Sequence, residues 1–378
     1  MSYSLNINME DFLANYWHKK PTIIKAGFSN FIDPISPDEL AGLSMEDEID
    51  SRFISHQEGN WSVEHGPFEG SLFENLPQTH WQLVVQACNH WHAGTAELVQ
   101  PFKALPQWLF DDLMVCYSAP QGGVGPHIDQ YDVFIVQGSG KRHWRVGARD
   151  EGQYQESIQA GALRQITGFD AIIDQVLMPG DILYIPPGFP HEGDTLEPSM
   201  SYSVGFRSPK ERELLSHFAD YMIANDKGDK HLHNPGMKPQ TKYGEIQTSD
   251  LDKMTAMLRS ALQSDNDIHN SIGALLSQSR HQLDIIEPDT PVTAIEIQSH
   301  LKDLGFLHKV SGLKALYLQN AASCVYINGE TYHTESEHLM DLLCNQTQIS
   351  YHDIQSKLAQ ADIELLVSLV NAGLWYLD

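Results

Sequence analysis

PGDILYIPPGFPHEG (179–193) sets two tight turns around one short apolar run. Gly180 and Asp181 make the first turn, Ile182 to Ile185 read as a buried strand, and Pro186-Pro187-Gly188 make a second turn that delivers His191. The same pattern recurs on both sides. DDLMVCYS (111–118), DVFIVQG (132–138), KRHWRVG (141–147), AIIDQVL (171–177), DILYIP (181–186) and SYSVGFR (201–207) are short strand runs separated by turn residues such as GSG and MPGD. Regularly spaced short strands with such turns predict an all-β barrel or sandwich.

Outward from this core the chain turns helical. SPDE (36–39) carries Pro at the first helical position and Glu three residues after Ser, the capping box of a short helix. Residues 80–98 place Leu83, Val84, Ala87, Cys88 and Trp91 at helical spacing, which predicts a second helix. Ser208-Pro209 marks a boundary, and beyond it 211–224 reads as an amphipathic helix with Leu214, Leu215, Phe218, Tyr221 and Met222 on one face. A linker rich in Gly and Pro (225–244) precedes two more helices over 249–263 and 268–279. After a second boundary at 288–291 come a helix over 294–304, strands over 313–318 and 324–327 with a hairpin around Asn328-Gly329, and further helices. Helices flanking a hairpin suggest a winged-helix arrangement. The reading is therefore α+β: a double-stranded β-helix barrel over 1–208, a helical region suited to dimerisation over 209–287, and a winged-helix-like domain over 288–378.

With 378 residues, the chain is too long for one core, in keeping with that division. No apolar run approaches the length of a membrane helix. The N-terminus lacks the basic and apolar regions of a secretory signal, and the four cysteines (Cys88, Cys116, Cys324, Cys344) include no C-x-x-C pair. These features predict reduced thiols in a cytoplasm and no membrane partner. The formal charge of −26 repels nucleic-acid backbones and favours a cationic partner, so direct nucleic-acid binding is not expected.

The chemistry lies in two segments. In GGVGPHIDQYDVF (122–134), His127 and Asp129 are two apart and project from one face of a strand. In 179–193 the pattern G-D-x-x-x-x-P-x-G-x-x-H is the second cupin motif, and it brings His191 against that pair. A histidine alone is most often a satisfied or solvated side chain; the three in this order and placement are a ligand set. Two imidazoles and a carboxylate on one face of an octahedral ion leave three positions open, the arrangement of non-haem Fe(II) oxygenases. Two of these suit a chelating 2-oxo acid and the third O2. An oxygenase using 2-oxoglutarate also needs a buried cation for the far carboxylate; Arg142, on the next strand, is the candidate, with Arg145 on the opposite face. Strand 111–118 sets Asp112, Met114, Cys116 and Ser118 on one face. Cys116 and Ser118 are candidates to contact the cosubstrate, and Asp112 to accept hydrogen bonds from a cationic substrate side chain. Ser201 and Ser203 share a face on the last strand and are further substrate-binding candidates.

These residues carry a resemblance. FIDPISPDELAGL (31–43), CNHWH (88–92), GGVGPHIDQYDVFIVQG (122–138), RHWRVG (142–147) and AIIDQVLMPGDILYIPPGFPHEG (171–193) are similar to the JmjC-domain ribosomal oxygenases, and SQSRHQLDI (277–285) and VNAGLWY (370–376) extend the likeness towards the C-terminus. The resemblance implies an Fe(II)- and 2-oxoglutarate-dependent dioxygenase that hydroxylates an arginine of large-subunit ribosomal protein L-sixteen, a basic partner suited to an acidic enzyme. It implies His127, Asp129 and His191 as iron ligands, Arg142 as the 2-oxoglutarate anchor, O2 as cosubstrate and a homodimer. Cys116 stands where close relatives are expected to have a serine. The alternatives are a non-catalytic cupin scaffold and a JmjC demethylase.

Overall fold

The computed structural model describes residues 3–161, 163–303, 305–319, 324–355 and 358–378. The barrel region contains fourteen strands: β1 (Thr22–Ile24), β2 (Ser51–Gln57), β3 (Asn60–His65), β4 (Trp81–Val85), β5 (Phe110–Ser118), β6 (His127–Ile128), β7 (Asp132–Gln137), β8 (Lys141–Gly147), β9 (Glu156–Gln159), β10 (Leu163–Ile166), β11 (Ala171–Leu177), β12 (Ile182–Ile185), β13 (Pro190–Glu197) and β14 (Ser199–Phe206). An eight-stranded sheet runs β1-β12-β7-β14-β5-β4-β2-β3, and a four-stranded sheet runs β11-β8-β13-β6; β9 and β10 form a separate hairpin.

Alternation along β7 shows how the sheets share the core. Val133 and Ile135 pack inward with Trp144, Val146, Leu183, Ile185 and Phe189 between the two sheets. Phe134 and Val136 point the other way, into a cluster with Phe12, Leu40, Leu98 and Phe102 from helices laid over the outer face. The large sheet is thus buried on both faces at β7, which is why VFIV (133–136) is apolar without alternation.

The acid of the Gly180-Asp181 turn has a structural task. One carboxylate oxygen of Asp181 accepts from the backbone N–H of Ala26 at 3.0 Å; the other accepts from Met178 N–H and Lys25 Nζ, each at 2.9 Å. Burial pushes this carboxyl up, but Lys25 and the two amides outweigh it and hold it below its ordinary value. Asp181→Asn is therefore expected to destabilise the barrel by about 1–3 kcal/mol. A carboxylate whose folded pKa is depressed stabilises above its unfolded pKa and loses that contribution as pH falls through the folded one. Thermal melts of both proteins check this: the wild-type advantage holds above about pH 4 and shrinks below it.

Several elements depart from the sequence reading. Residues 80–98 are not one helix: Trp81–Val85 is strand β4, buried along its whole length, and only Cys88–Trp91 and Ala93–Val99 are helical. The periodic apolar positions satisfy both patterns, and a vacancy beside β5 selects the strand. The β2–β3 hairpin, turning at Glu58 and Gly59 with positive φ at both, was not foreseen, nor was β9–β10. The six expected core strands and the capping box of Pro37–Leu43 are present within a residue or two.

Beyond the barrel lie helices Glu211–Ala224, Thr248–Ala261 and Asp265–Ser277. The last part of the chain holds helices Ala294–Lys302, Glu337–Asn345 and Gln360–Asn371 against a three-stranded sheet β19-β15-β20 (Gln348–Ser350, Phe306–Lys309, Trp375–Leu377). Ile297, Leu307, Leu339, Leu343, Leu366 and Trp375 form its core. A second sheet, β16-β17-β18 (Ala315–Tyr317, Cys324–Ile327, Glu330–His333), turns at Asn328 and Gly329 as expected, although its third strand was not anticipated. Leu304, the expected end of the first of these helices, lies outside the described residues. No helix of the described residues is long and apolar enough to cross a membrane.

Candidate metal centre

The two motifs meet through backbone. His191 pairs with His127 and Pro190 with Ile128 across β13 and β6, while Gly188 N–H donates to the carbonyl of Asp129 at 2.8 Å. The ligand atoms of His127, Asp129 and His191 consequently lie within 4.8 Å of one another. Asp129 Oδ2 is 3.7 Å from His127 Nε2 and 3.6 Å from His191 Nε2.

Each imidazole is oriented by the backbone two residues before it. His127 Nδ1 lies 2.9 Å from the carbonyl of Gly125, and His191 Nδ1 lies 3.0 Å from that of Phe189. A carbonyl only accepts, so Nδ1 carries the hydrogen in both rings and each Nε2 lone pair faces the shared point. Gly125, at φ +75°, makes the turn that aims its carbonyl; a Cβ there would stand 2.4 Å from Gln165 Nε2. His191 is 2% exposed, and burial together with neighbouring His127 pushes its pKa down to about 4, which keeps it a neutral ligand. Tyr131 stands beside Asp129; burial and that carboxylate push its phenol well above the ordinary range, so it remains a protonated donor. Two neutral imidazoles and one carboxylate with a solvent-facing side fit a divalent first-row metal with open positions.

Arg142 is the second half of the site. It is 3% exposed on β8, and its guanidinium donates to Ser201 Oγ at 3.1 Å, Gln82 Oε1 at 3.2 Å and the Gly193 carbonyl at 2.9 Å, stacked 4.9 Å from the Trp144 ring centroid. All three acceptors are neutral. No carboxylate lies within ion-pair distance of it among the described residues, and its Nε has no partner. A buried cation left in that state is built for an anionic ligand. Gly193 permits the arrangement, since a Cβ there would stand 2.9 Å from the Trp144 ring.

Cys116 and Ser118 share the interior face of β5, as expected. Cys116 is paired in register with Ser201, its thiol kept neutral by burial, and Ser118 Oγ donates to Gln82 Oε1 at 2.8 Å. Ser201 reaches Arg142 directly; Ser203, half-buried one step along, makes no such contact among the described residues. Asp112 is placed otherwise. It is 5% exposed, accepts from Gln86 Nε2 and Ala87 N–H, and faces His281 at 3.8 Å, so its carboxylate pins the turn after β4 against the helical region. Arg145 pairs with Glu192 on the outside. Gln82 was missed because its strand was read as helix; a glutamine within the apolar run WQLVV was the signal available.

Two family models match the chain: the JmjC domain over residues 97–214 and the ROXA-like winged helix over 259–376. Over its whole length the chain is 45% identical to the ribosomal protein uL16 3-hydroxylase of Escherichia coli, covering all of that protein as well. The chain belongs to the JmjC-domain ribosomal oxygenases. Another member, a probable ribosomal oxygenase of Haemophilus influenzae, is 29% identical over 86% of this chain and 82% of its own. Among solved ribosomal oxygenases, the X-ray structure of Escherichia coli YcfD superposes over both full chains with a TM-score of 0.94 at 45% identity. A structure of the same oxygenase in complex with cobalt and 2-oxoglutarate superposes with a TM-score of 0.91. The expected family and the succession of barrel and winged helix are thereby established for this ribosomal oxygenase.

Proposed function

We propose that this oxygenase hydroxylates an arginine of large-subunit ribosomal protein uL16, with Fe(II) held by His127, Asp129 and His191 and 2-oxoglutarate anchored by Arg142. The observation that carries the proposal is the pairing of a facial His-Asp-His trio with a buried guanidinium that has no carboxylate at ion-pair distance among the described residues. When bound, the metal, 2-oxoglutarate and O2 would supply the oxidation: one oxygen atom goes into succinate as CO2 leaves, and the other is inserted into a carbon–hydrogen bond, which becomes C–O–H.

The chain's own residues supply position and dryness. The Gly125 and Phe189 carbonyls hold both imidazoles with Nε2 forward. Ser201, Gln82 and the Gly193 carbonyl hold the Arg142 fork towards the far carboxylate of the cosubstrate, and Ser118 acts through Gln82. Cys116 adds a weak donor beside it. Trp144 and Tyr131 wall the centre from water, which protects a reactive intermediate. A chain of net charge −26 draws in a basic ribosomal protein and disfavours direct contact with RNA.

The oxygenase region is taken as 1–208, a helical dimerisation region as 209–287 and the winged-helix-like domain as 288–378, although the winged-helix match begins earlier, at residue 259. A homodimer is supported by helix Thr248–Ala261, which buries no residue and exposes Leu251, Met254 and Leu258. Four unpaired cysteines support a cytoplasmic location.

The test is mass spectrometry of uL16 after incubation with the protein, Fe(II), 2-oxoglutarate and O2. One added oxygen on an arginine with matching succinate is expected. Release of formaldehyde from a methylated peptide would make the protein a demethylase instead, and absence of succinate with any ribosomal protein would leave only a scaffold.

A further inference from the structure

A cavity of about 880 Å³ lies between the barrel and the winged helix and shares no residue with the metal centre. One wall is the segment 99–107 with Phe110 and Phe206; the other comes from 308–314, 344–347 and Tyr376. Three lysines converge on it: Lys103 from the barrel side, Lys309 and Lys314 from the winged-helix side. Glu97 alone is acidic among the lining residues. In a chain with 50 acidic and 24 basic side chains, three cations around one hollow are a local reversal of the field.

The lysines are not explained by internal pairing. None of the three forms a salt bridge among the described residues. Lys309 Nζ makes one long contact, 3.5 Å to the Cys344 carbonyl, and lies 5.4 Å from the centroid of Trp375. The Cys344 thiol is no counter-ion, because burial pushes its pKa up to about 12. Burial and the facing Lys103 push the Lys309 ammonium down to about 8, so it is still mostly charged at neutral pH. Lys314 is 6% exposed, drawn by Asp111 and Asp112 and opposed by Arg280. Lys103 and Lys309 line one hollow with no carboxylate at ion-pair distance among the described residues, and an anion seated between them gains both ammonium groups.

We infer that this interdomain cavity is a binding site for a small organic anion, its phosphate or carboxylate head held between Lys103 and Lys309. The lining favours a body as well as a head. Phe102, Phe110 and Phe206 give an apolar floor and Gln346 adds an amide, while Asn345 Nδ2 already donates to Asp341 Oδ1 at 2.7 Å; a mostly apolar lining with a few polar groups is the mixture found in small-molecule sites of this volume. Because both domains contribute a lysine, occupancy ties the winged helix to the barrel.

The test uses the full-length protein loaded with Fe(II) and saturating 2-oxoglutarate under anaerobic conditions, so that the metal centre is filled. Calorimetry is run with adenosine monophosphate, with citrate and with adenosine. Stoichiometric binding of either anion but not of adenosine is expected, and the choice between the two anions reports the head group. Lys309→Met and Lys103→Ala each weaken binding by about tenfold or more. Lys309→Met removes a half-buried charge and keeps the bulk, so its ligand-free melting temperature holds or rises; should it fail to fold, the exposed Lys103→Ala carries the same readout. The inference is overturned if neither anion binds at about 10 mM, if adenosine binds as well as its monophosphate, or if binding survives in the foldable lysine variants. An oligonucleotide that binds much more tightly than the monophosphate would also overturn it, in favour of a nucleic-acid surface.

Discussion

Replacing His191 with alanine is expected to abolish uptake of one equivalent of ferrous ion and to cut turnover at least about a thousandfold. The reason is geometric. His191 is the most buried of the three candidate ligands, and its Nε2 faces Asp129 and His127 at a point defined by β-pairing. Partners that only orient a ligand are worth about 10–100-fold in metal affinity, so removing the donor atom itself takes away more. Two ligands on a surface 22–25% exposed, His127 and Asp129, do not hold the ion against water alone. The truncation also opens a void beside Trp144, costing about 2–4 kcal/mol in stability, so circular dichroism melts belong beside anaerobic metal titration. A folded variant that still bound one equivalent and turned over would remove His191 from the centre.

Arg142→Met should raise the KM for 2-oxoglutarate by about a hundredfold. A bidentate, charge-assisted contact in a buried site is worth about 3 kcal/mol, and methionine replaces it with an apolar chain of similar volume. Folding moves little, because two effects oppose one another. The variant leaves Ser201, Gln82 and the Gly193 carbonyl short of a donor, yet it also removes a buried cation whose Nε has no partner. An unchanged melting temperature with a raised KM therefore separates cosubstrate anchoring from structural support. Arg142→Lys keeps the charge without the fork and should recover only part of the affinity. Steady-state kinetics over a 2-oxoglutarate series decide it; an unaltered KM in the methionine variant would refute the anchoring role.

The candidate ligand trio was legible because its chemistry is local on each side. H-x-D puts two donors on one strand face, and the turn-strand-turn run ending at His191 specifies its own geometry through Asp181 and Gly188. Arg142 was legible by a cost argument, since a lone arginine in an inward register needs a partner. What surrounds Arg142 was not legible. Gln82 lies sixty residues away, on a strand whose apolar spacing also fits a helix, and only the empty edge beside β5 selects the extended form. Asp112 shows the converse. Strand parity put it on the same face as Cys116, but parity says nothing of which neighbour arrives at each end, and the helical region brings His281 there.

From sequence alone come six of the barrel's strands, the turns of the two motifs and the three candidate ligands, because turn chemistry, two-residue alternation and donor spacing act over a few residues; the family was legible as a resemblance of whole motifs. Tertiary structure decided which groups hold Arg142, where Asp112 faces, and that three lysines gather between the domains. Those are contacts between segments far apart in the chain, and their energies depend on burial and on missing counter-charges that exist only once both sides have packed.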